Sequence, residues 1–173
     1  MPAGFDKLIP PINFAPVENG VYRSGQPSAI NLDFLRELKL NTIVWLAVEE
    51  PSESLLTFAD DNDLTIHHLG LQEGNNPWDP LTVDCVMDAV QQLIDVKNFP
   101  ILVSCSMGRH RTGTVIGCLR RLQGWNLTST LEEYRRFTGS RRNRAVNELM
   151  IEAFDRNAIK IPEHKPDWLW LHK

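Results

Sequence analysis

The sequence predicts an α/β domain: a mostly parallel sheet flanked by helices and closed by a helical C-terminal half. Three observations predict it. Apolar β-type runs alternate with helical repeats through residues 1–104, the run over residues 42–48 is apolar enough for a strand buried on both faces, and three helical patterns follow after residue 110.

Taken in order, residues 1–19 are Pro-rich and aperiodic and read as a lead-in. Of these, 1–10 are expected to form an arm, and a single domain is expected over 11–173. Glu18-Asn19-Gly20 reads as a turn before a short strand, Val21-Tyr22-Arg23. Ser28 or Asn31 can cap a helix whose Leu32, Leu35 and Leu38 recur at spacings of three. After the strand at 42–48 come a helix over 52–61, a strand over 65–69 and a loop over 70–80 rich in Gly, Asn and Pro. A helix over 84–96 carries Val86, Ala89, Val90 and Leu93 on one face, and Ile101-Leu102-Val103 is a short buried strand. Residues 111–123, 128–137 and 144–156 read as three helices, the first with Val115, Cys118, Leu119 and Leu122 on one face. The tail, residues 167–173, is expected to pack back, because its Trp168 and Trp170 are costly to expose.

Composition bounds the function. With 173 residues, 42% of them hydrophobic and 23% charged, the chain falls outside the disordered, collagenous and coiled-coil classes. A chain this long buries roughly 70% of its unfolded surface, so it needs no covalent staples. Cys85, Cys105 and Cys118 cannot form a disulfide framework, and the N-terminal residues, broken by prolines, do not resemble a signal peptide. A reducing, cytoplasmic setting is expected. No apolar stretch approaches the roughly 20 residues of a membrane span, so a soluble protein is expected. The net charge of −4 argues against bulk nucleic-acid binding. Its distribution is uneven: residues 1–104 carry 5 Lys and Arg against 15 Asp and Glu, whereas residues 105–144 carry 9 against 2. The cationic window is either a solvated basic face or an anion site.

The informative stretch lies inside that window. Residues 101–113 read Ile-Leu-Val-Ser-Cys-Ser-Met-Gly-Arg-His-Arg-Thr-Gly, a strand, a tight loop and a helix start, with Cys105 and Arg111 bracketing five residues. A loop of this length can curl so that Ser106, Met107, Gly108, Arg109 and His110 surround an anion with backbone N–H groups. Gly108 supplies conformational freedom, the helix start adds a positive dipole end, and Arg111 offers a fork to two oxygens. The same field favours ionisation of Cys105. Attack on phosphorus would give a thiophosphoryl enzyme for water to hydrolyse, and Thr112 can donate to the sulfur as it leaves.

This loop resembles the signature of the cysteine-dependent tyrosine phosphatase superfamily. The wider chain is similar to its plant and fungal atypical dual-specificity branch over residues 11–157. The match runs through Asn13-Phe14, Val17, Gly20-Val21-Tyr22-Arg23-Ser24-Gly25, Ile116 to Arg121, Trp125 and Glu133 to Phe137. The fungal subgroup implicated in cell-cycle arrest after oxidative stress is the most similar. The resemblance implies a dual-specificity-type fold, Cys105 as nucleophile and Arg111 as phosphate clamp. It implies phosphotyrosine proteins, phosphoinositides or inositol pyrophosphates as substrates, with related phosphatase-like proteins as partners. Two departures stand out. The superfamily usually has His before the nucleophile, where this chain has Ser104, and its general acid is an upstream Asp, for which Asp79 and Asp84 are both candidates. The rival reading is a phosphate-binding module with little turnover.

Other residues read as structure. Cys118 and Cys85 are expected on helix faces, Asp84 doubles as a helix cap or dipole partner, and His67 and His68 point to opposite faces of a strand. No metal or cofactor is implied, since no Cys and His set has zinc spacing. Arg120, Arg121, Arg135, Arg136, Arg141, Arg142 and Arg144 are either solvated helix charges or a positive ring around the pocket.

Overall fold

The computed structural model describes residues 7–71, 76, 78–139 and 144–170. Strand β1 (Ala15–Glu18) runs antiparallel to β2 (Val21–Ser24), while β3 (Thr42–Trp45), β4 (Thr65–His68) and β5 (Ile101–Ser104) continue a parallel sheet from β2. The spatial order is β1-β2-β5-β3-β4, which places β5 at the centre. Among the described residues, six helices surround this sheet: α1 (Leu32–Leu38), α2 (Glu53–Asp61), α3 (Val83–Leu93), α4 (His110–Leu122), and, packed on α4, α5 (Leu127–Thr138) and α6 (Ala145–Glu152).

The period of two along each strand divides the core. Ile101 and Val103 of β5 join Val44 in a cluster with the helical side, including Val90, Val115, Ile116, Leu119 and Ile151. Leu102 and Ile43 point the other way, to Leu35, Leu55 and Phe58 of α1 and α2. Helix α4 packs against α3, α5 and α6, so every residue from Arg111 to Arg120 is buried. Side chains set the helix starts. Ser52 Oγ accepts from Leu55 N–H at 3.3 Å, Thr82 Oγ1 from Cys85 N–H at 3.2 Å, and Asn126 Oδ1 from Ser129 N–H at 2.8 Å.

The parallel register fixes where the site lies. Ser24 of β2 and Trp45 of β3 are both level with Ser104 of β5, so three loops leave the sheet at one end.

The structure corrects several expectations. The lead-in contains a strand, β1, hidden from a periodicity reading by Pro16, which is tolerated because β1 is an edge with an irregularity between Pro16 and Glu18. The apolar run 42–48 is strand only as far as Trp45; Leu46 still bonds to Ser104 O at 2.9 Å, and the chain then turns over the site. Helix α3 starts at Val83 because Thr82 is its cap, which leaves Asp84 in the first turn as a dipole partner rather than the cap. Helix α6 ends at Glu152, with a 3₁₀ turn at Arg156–Ala158 beyond it. In the tail, Leu169 is fully buried, and Trp168 stacks on Phe99 with ring centroids 6.3 Å apart. Trp170 is 72% exposed, contrary to the expectation, and residues 171–173 lie outside the described part.

Candidate active site

Cys105 follows the last residue of β5 directly and is 6% exposed. Thr112, in the first turn of α4, donates its hydroxyl to Cys105 Sγ at 3.0 Å. Arg111 folds back beside them: Nη1 donates to Leu46 O at 2.8 Å, and Nη2 to Asp79 O at 3.0 Å and to Asn76 O at 3.4 Å. Three backbone carbonyls thus hold the guanidinium beside the pocket, and a two-oxygen fork for an anion forms when Nη2 exchanges its 3.4 Å bond to Asn76 O for the ligand.

The loop's outward face is tied down by the segment around β2. Ser106 O accepts from Gln26 N–H at 3.1 Å, and Gly108 O accepts from both Asn13 Nδ2 at 3.1 Å and Arg23 Nη2 at 3.2 Å. In a trans peptide the carbonyl and the next N–H point to opposite sides. These bonds therefore turn the N–H groups of Met107 and Arg109 toward the pocket, the arrangement an oxyanion needs. Gly108 has φ +68°, and a Cβ there would lie 2.4 Å from Gly25 N. Gly25 is needed in turn, because its Cβ would lie 2.9 Å from the Met107 carbonyl carbon. Two glycines meet where loop and β2 segment cross.

A pocket of about 280 Å³ opens above the loop. Its floor comes from Cys105, Ser106, Met107, Arg109, His110 and Arg111, and its walls from Ala47, Val48, Glu49, Trp78 and Arg144. Arg144 donates to Trp78 O at 2.9 Å and lies 5.7 Å from the Trp78 ring centroid. His110 is oriented from behind. Asn147 Nδ2 donates to the Tyr134 hydroxyl at 3.1 Å, and that hydroxyl is hydrogen-bonded to His110 Nδ1, 3.3 Å away. Burial pushes the Tyr134 pKa upward, so the hydroxyl stays protonated.

Other predicted residues lie elsewhere. Ser104 is fully buried and donates to Gly25 O at 3.0 Å, so it braces the strand end rather than the sulfur. Asp79 contributes its backbone carbonyl to Arg111, while its carboxylate Oδ2 accepts from Asn76 N–H at 3.1 Å. It is not among the residues lining the pocket. Cys85 donates to Leu69 O at 3.1 Å, and burial pushes its thiol up to about 11. Cys118 is fully buried in α4, and the same cause pushes it up to about 12.

The arginine ring is mostly dissolved by the structure. Arg120 is 5% exposed, pairs with both Glu133 oxygens at 3.0 and 3.1 Å, and reaches Glu18 at 2.9 Å. Arg121 bonds to Trp125 O and Arg135 to Glu148, both away from the pocket. Arg141 and Arg142 lie outside the described residues. Among the described residues, Arg109, Arg111 and Arg144 remain as the pocket's arginines, and Glu49 lines it with them. No role was expected for Arg23, Asn13 or Gly25; the signal that marks them is their place in and around the β1–β2 hairpin, with Asn13 before β1, Arg23 within β2 and Gly25 directly after it.

Sheet order, a loop off the central strand and a buried helix behind it place the molecule in the cysteine-dependent phosphatase class of folds. The chain belongs to the tyrosine phosphatase family, whose family model matches residues 8–172. Among relatives, it is 58% identical to the candidate tyrosine-protein phosphatase OCA1 of Yarrowia lipolytica, over 94% of this chain and 65% of that one. It is 53% identical to the corresponding OCA1 protein of Saccharomyces cerevisiae, over 95% of this chain and 71% of that one. The chain thus spans about two thirds of these relatives' length. Among solved structures, the core catalytic domain of the PP-IP phosphatase SIW14 from S. cerevisiae is similar, with a TM-score of 0.79 and 36% identity over 88% of this chain and 91% of that one. P. aeruginosa TpbA shares the fold, with a TM-score of 0.65 at 21% identity over 84% of this chain and 87% of that one.

Proposed function

We propose that this chain is a metal-independent phosphatase working through a Cys105 phosphoenzyme. The hydroxyl of Thr112 placed 3.0 Å from Cys105 Sγ, beneath a pocket that Arg111 also lines, is the observation that carries the reading. The Cys105 thiolate attacks phosphorus in line, forming the S–P bond as the P–O bond to the leaving group breaks. Arg111 and the loop N–H groups bind the equatorial oxygens. Water then attacks phosphorus, the S–P bond breaks, and the electron pair returns to a sulfur that Thr112 supports.

The substrate class proposed is an inositol pyrophosphate, with phosphotyrosine proteins as slower substrates. The likeness to the PP-IP phosphatase SIW14 supports this, and so do two features of the site. Arg109, Arg144 and His110 line the same pocket as Cys105 and Arg111 and suit a ligand with several phosphates. The Asp79 carboxylate is engaged with its own turn, which favours a phosphate leaving group that needs little protonation. On a poorer leaving group, Asp79 would have to turn toward the pocket to act as the acid.

The rival reading, a phosphate-binding module of low turnover working within an assembly of related proteins, is favoured by Ser104, whose hydroxyl serves Gly25 rather than the nucleophile. Phosphate release in the presence of EDTA separates the two readings. The substrates are an inositol pyrophosphate, phosphotyrosine peptides and an aryl phosphate, with Cys105→Ser as control. Efficiency is expected to be highest on the inositol pyrophosphate and to fall steeply with salt. A preference for phosphotyrosine peptides, insensitive to salt and to Arg109→Ala, would overturn the substrate assignment. Release unaffected by Cys105→Ser would overturn the mechanism.

A further inference from the structure

The fold places a buried cation under the loop, on the strand next to the nucleophile's own. Arg23 is level with Val103 in the β2–β5 register, and its side chain is 1% exposed. Its guanidinium lies 3.7 Å from the Phe137 ring centroid, and Nη2 donates to Gly108 O at 3.2 Å. Nε and Nη1 are buried with no hydrogen-bond partner among the described residues. This is an expensive arrangement for a structural arginine, since each orphaned N–H forgoes its hydration without replacement. Arg120, also buried, is by contrast matched by two carboxylates.

Burial lowers the Arg23 pKa to about 10, which still leaves the group charged at neutral pH. The charges around it are the Glu133 carboxylate and the Cys105 sulfur, which favour its cationic form, and Arg120 and Arg136, which oppose it. Gly108 follows Cys105 by three residues in the same loop, so the guanidinium that binds Gly108 O stands against the underside of the loop that carries the nucleophile.

We propose that Arg23 is a positioning residue for the nucleophile: its buried charge stabilises the Cys105 thiolate from beneath the loop, and its bond to Gly108 O turns the Arg109 N–H into the pocket. It supplies support that Ser104 cannot, because the serine is neutral and its hydroxyl is committed to Gly25 O. Asn13 shares the work at Gly108 O but brings no charge. The inference rests on the reading of Cys105 as nucleophile, yet it can be tested without any substrate.

The test is iodoacetamide alkylation of Cys105 against pH, read by mass spectrometry of its peptide, for the parent protein, Arg23→Met, Arg23→Gln and Arg23→Lys. Orthovanadate binding is measured alongside. Arg23→Met removes the charge at similar volume and is expected to slow alkylation at pH 6 by about tenfold and displace the profile to higher pH. Arg23→Lys keeps the charge and loses the fork. Its profile is expected to follow the parent while vanadate binding weakens. A merely structural Arg23 would change the melting temperature and leave the profile of the folded fraction where it was. That result in Arg23→Met overturns the proposal. Should Arg23→Met fail to fold, Arg23→Gln decides: a profile displaced upward supports the role of charge, and a parent-like profile overturns it. If the parent releases phosphate from no substrate while its alkylation still depends on Arg23, the catalytic reading fails and the electrostatic one stands.

Discussion

Thr112→Val removes one hydrogen-bond donor and changes almost nothing else. The two side chains have similar shapes, Thr112 is fully buried in the first turn of α4, and its hydroxyl donates to Cys105 Sγ at 3.0 Å. A hydrogen bond to a charged partner contributes about 1.5–3 kcal/mol. Sulfur carries its charge when it leaves phosphorus in the second step, so the loss falls on hydrolysis of the phosphoenzyme. At 1.36 kcal/mol per decade this predicts a steady-state rate lower by about 10- to 150-fold. Stopped-flow hydrolysis of an aryl phosphate should show a burst of phenol approaching one equivalent of enzyme, followed by the slowed phase. Thr112→Ser, which restores the donor, should recover most of the rate. A valine variant turning over at the parent rate, or a serine variant falling as far as valine, would refute the role of the hydroxyl.

Further expectations follow from the same geometry. Cys105→Ser should abolish turnover and keep vanadate binding, because Arg111 and the loop N–H groups remain, whereas Arg111→Ala should lose both; calorimetric titration checks this. Asp79→Asn should slow hydrolysis of an alkyl phosphate more than that of a diphosphate, and equal losses in parallel kinetic assays would place the acid elsewhere. Glu133→Gln strips the buried Arg120 of its bidentate partner, at a cost near the lower end for broken buried pairs, about 3 kcal/mol. Calorimetry should then show a melting temperature lower by about 6–12 °C. Peroxide at neutral pH should modify Cys105 ahead of the other two cysteines, because burial pushes Cys85 up to about 11 and Cys118 up to about 12 and keeps both as thiols. Peptide mass spectrometry showing Cys85 or Cys118 modified first would contradict this.

Most of the fold was legible because its signals are local. The apolar β-type run after Pro100, the repeat Val86, Ala89, Val90, Leu93 and the stripe along α4 each report a period within a few residues, and strands and helices formed there. Strand β1 escaped because Pro16 breaks the pattern that an edge strand is free to break. At the site, Cys105, Arg111 and Thr112 were readable since one short loop holds them together. The fate of the arginines was not, because it depends on partners far off in sequence: Arg120 meets Glu18, 102 residues away. Asp79 shows the same limit. Its place on the upstream loop could be read, but the turn that directs its carboxylate to Asn76 and its carbonyl to Arg111 is a matter of packing. Arg23 sits in a recognisable stretch, yet only the parallel pairing of β2 with β5 brings it beneath the loop.

The central claim is that Cys105 carries the phosphoryl group between two half-reactions. Rapid acid quench during turnover of an aryl phosphate, followed by mass spectrometry, tests it directly. The account predicts one phosphoryl group on the Cys105 peptide, accumulating further in Thr112→Val and missing from Cys105→Ser. Turnover with no phosphoryl group on that peptide in Thr112→Val, or with the group on another residue, would contradict it.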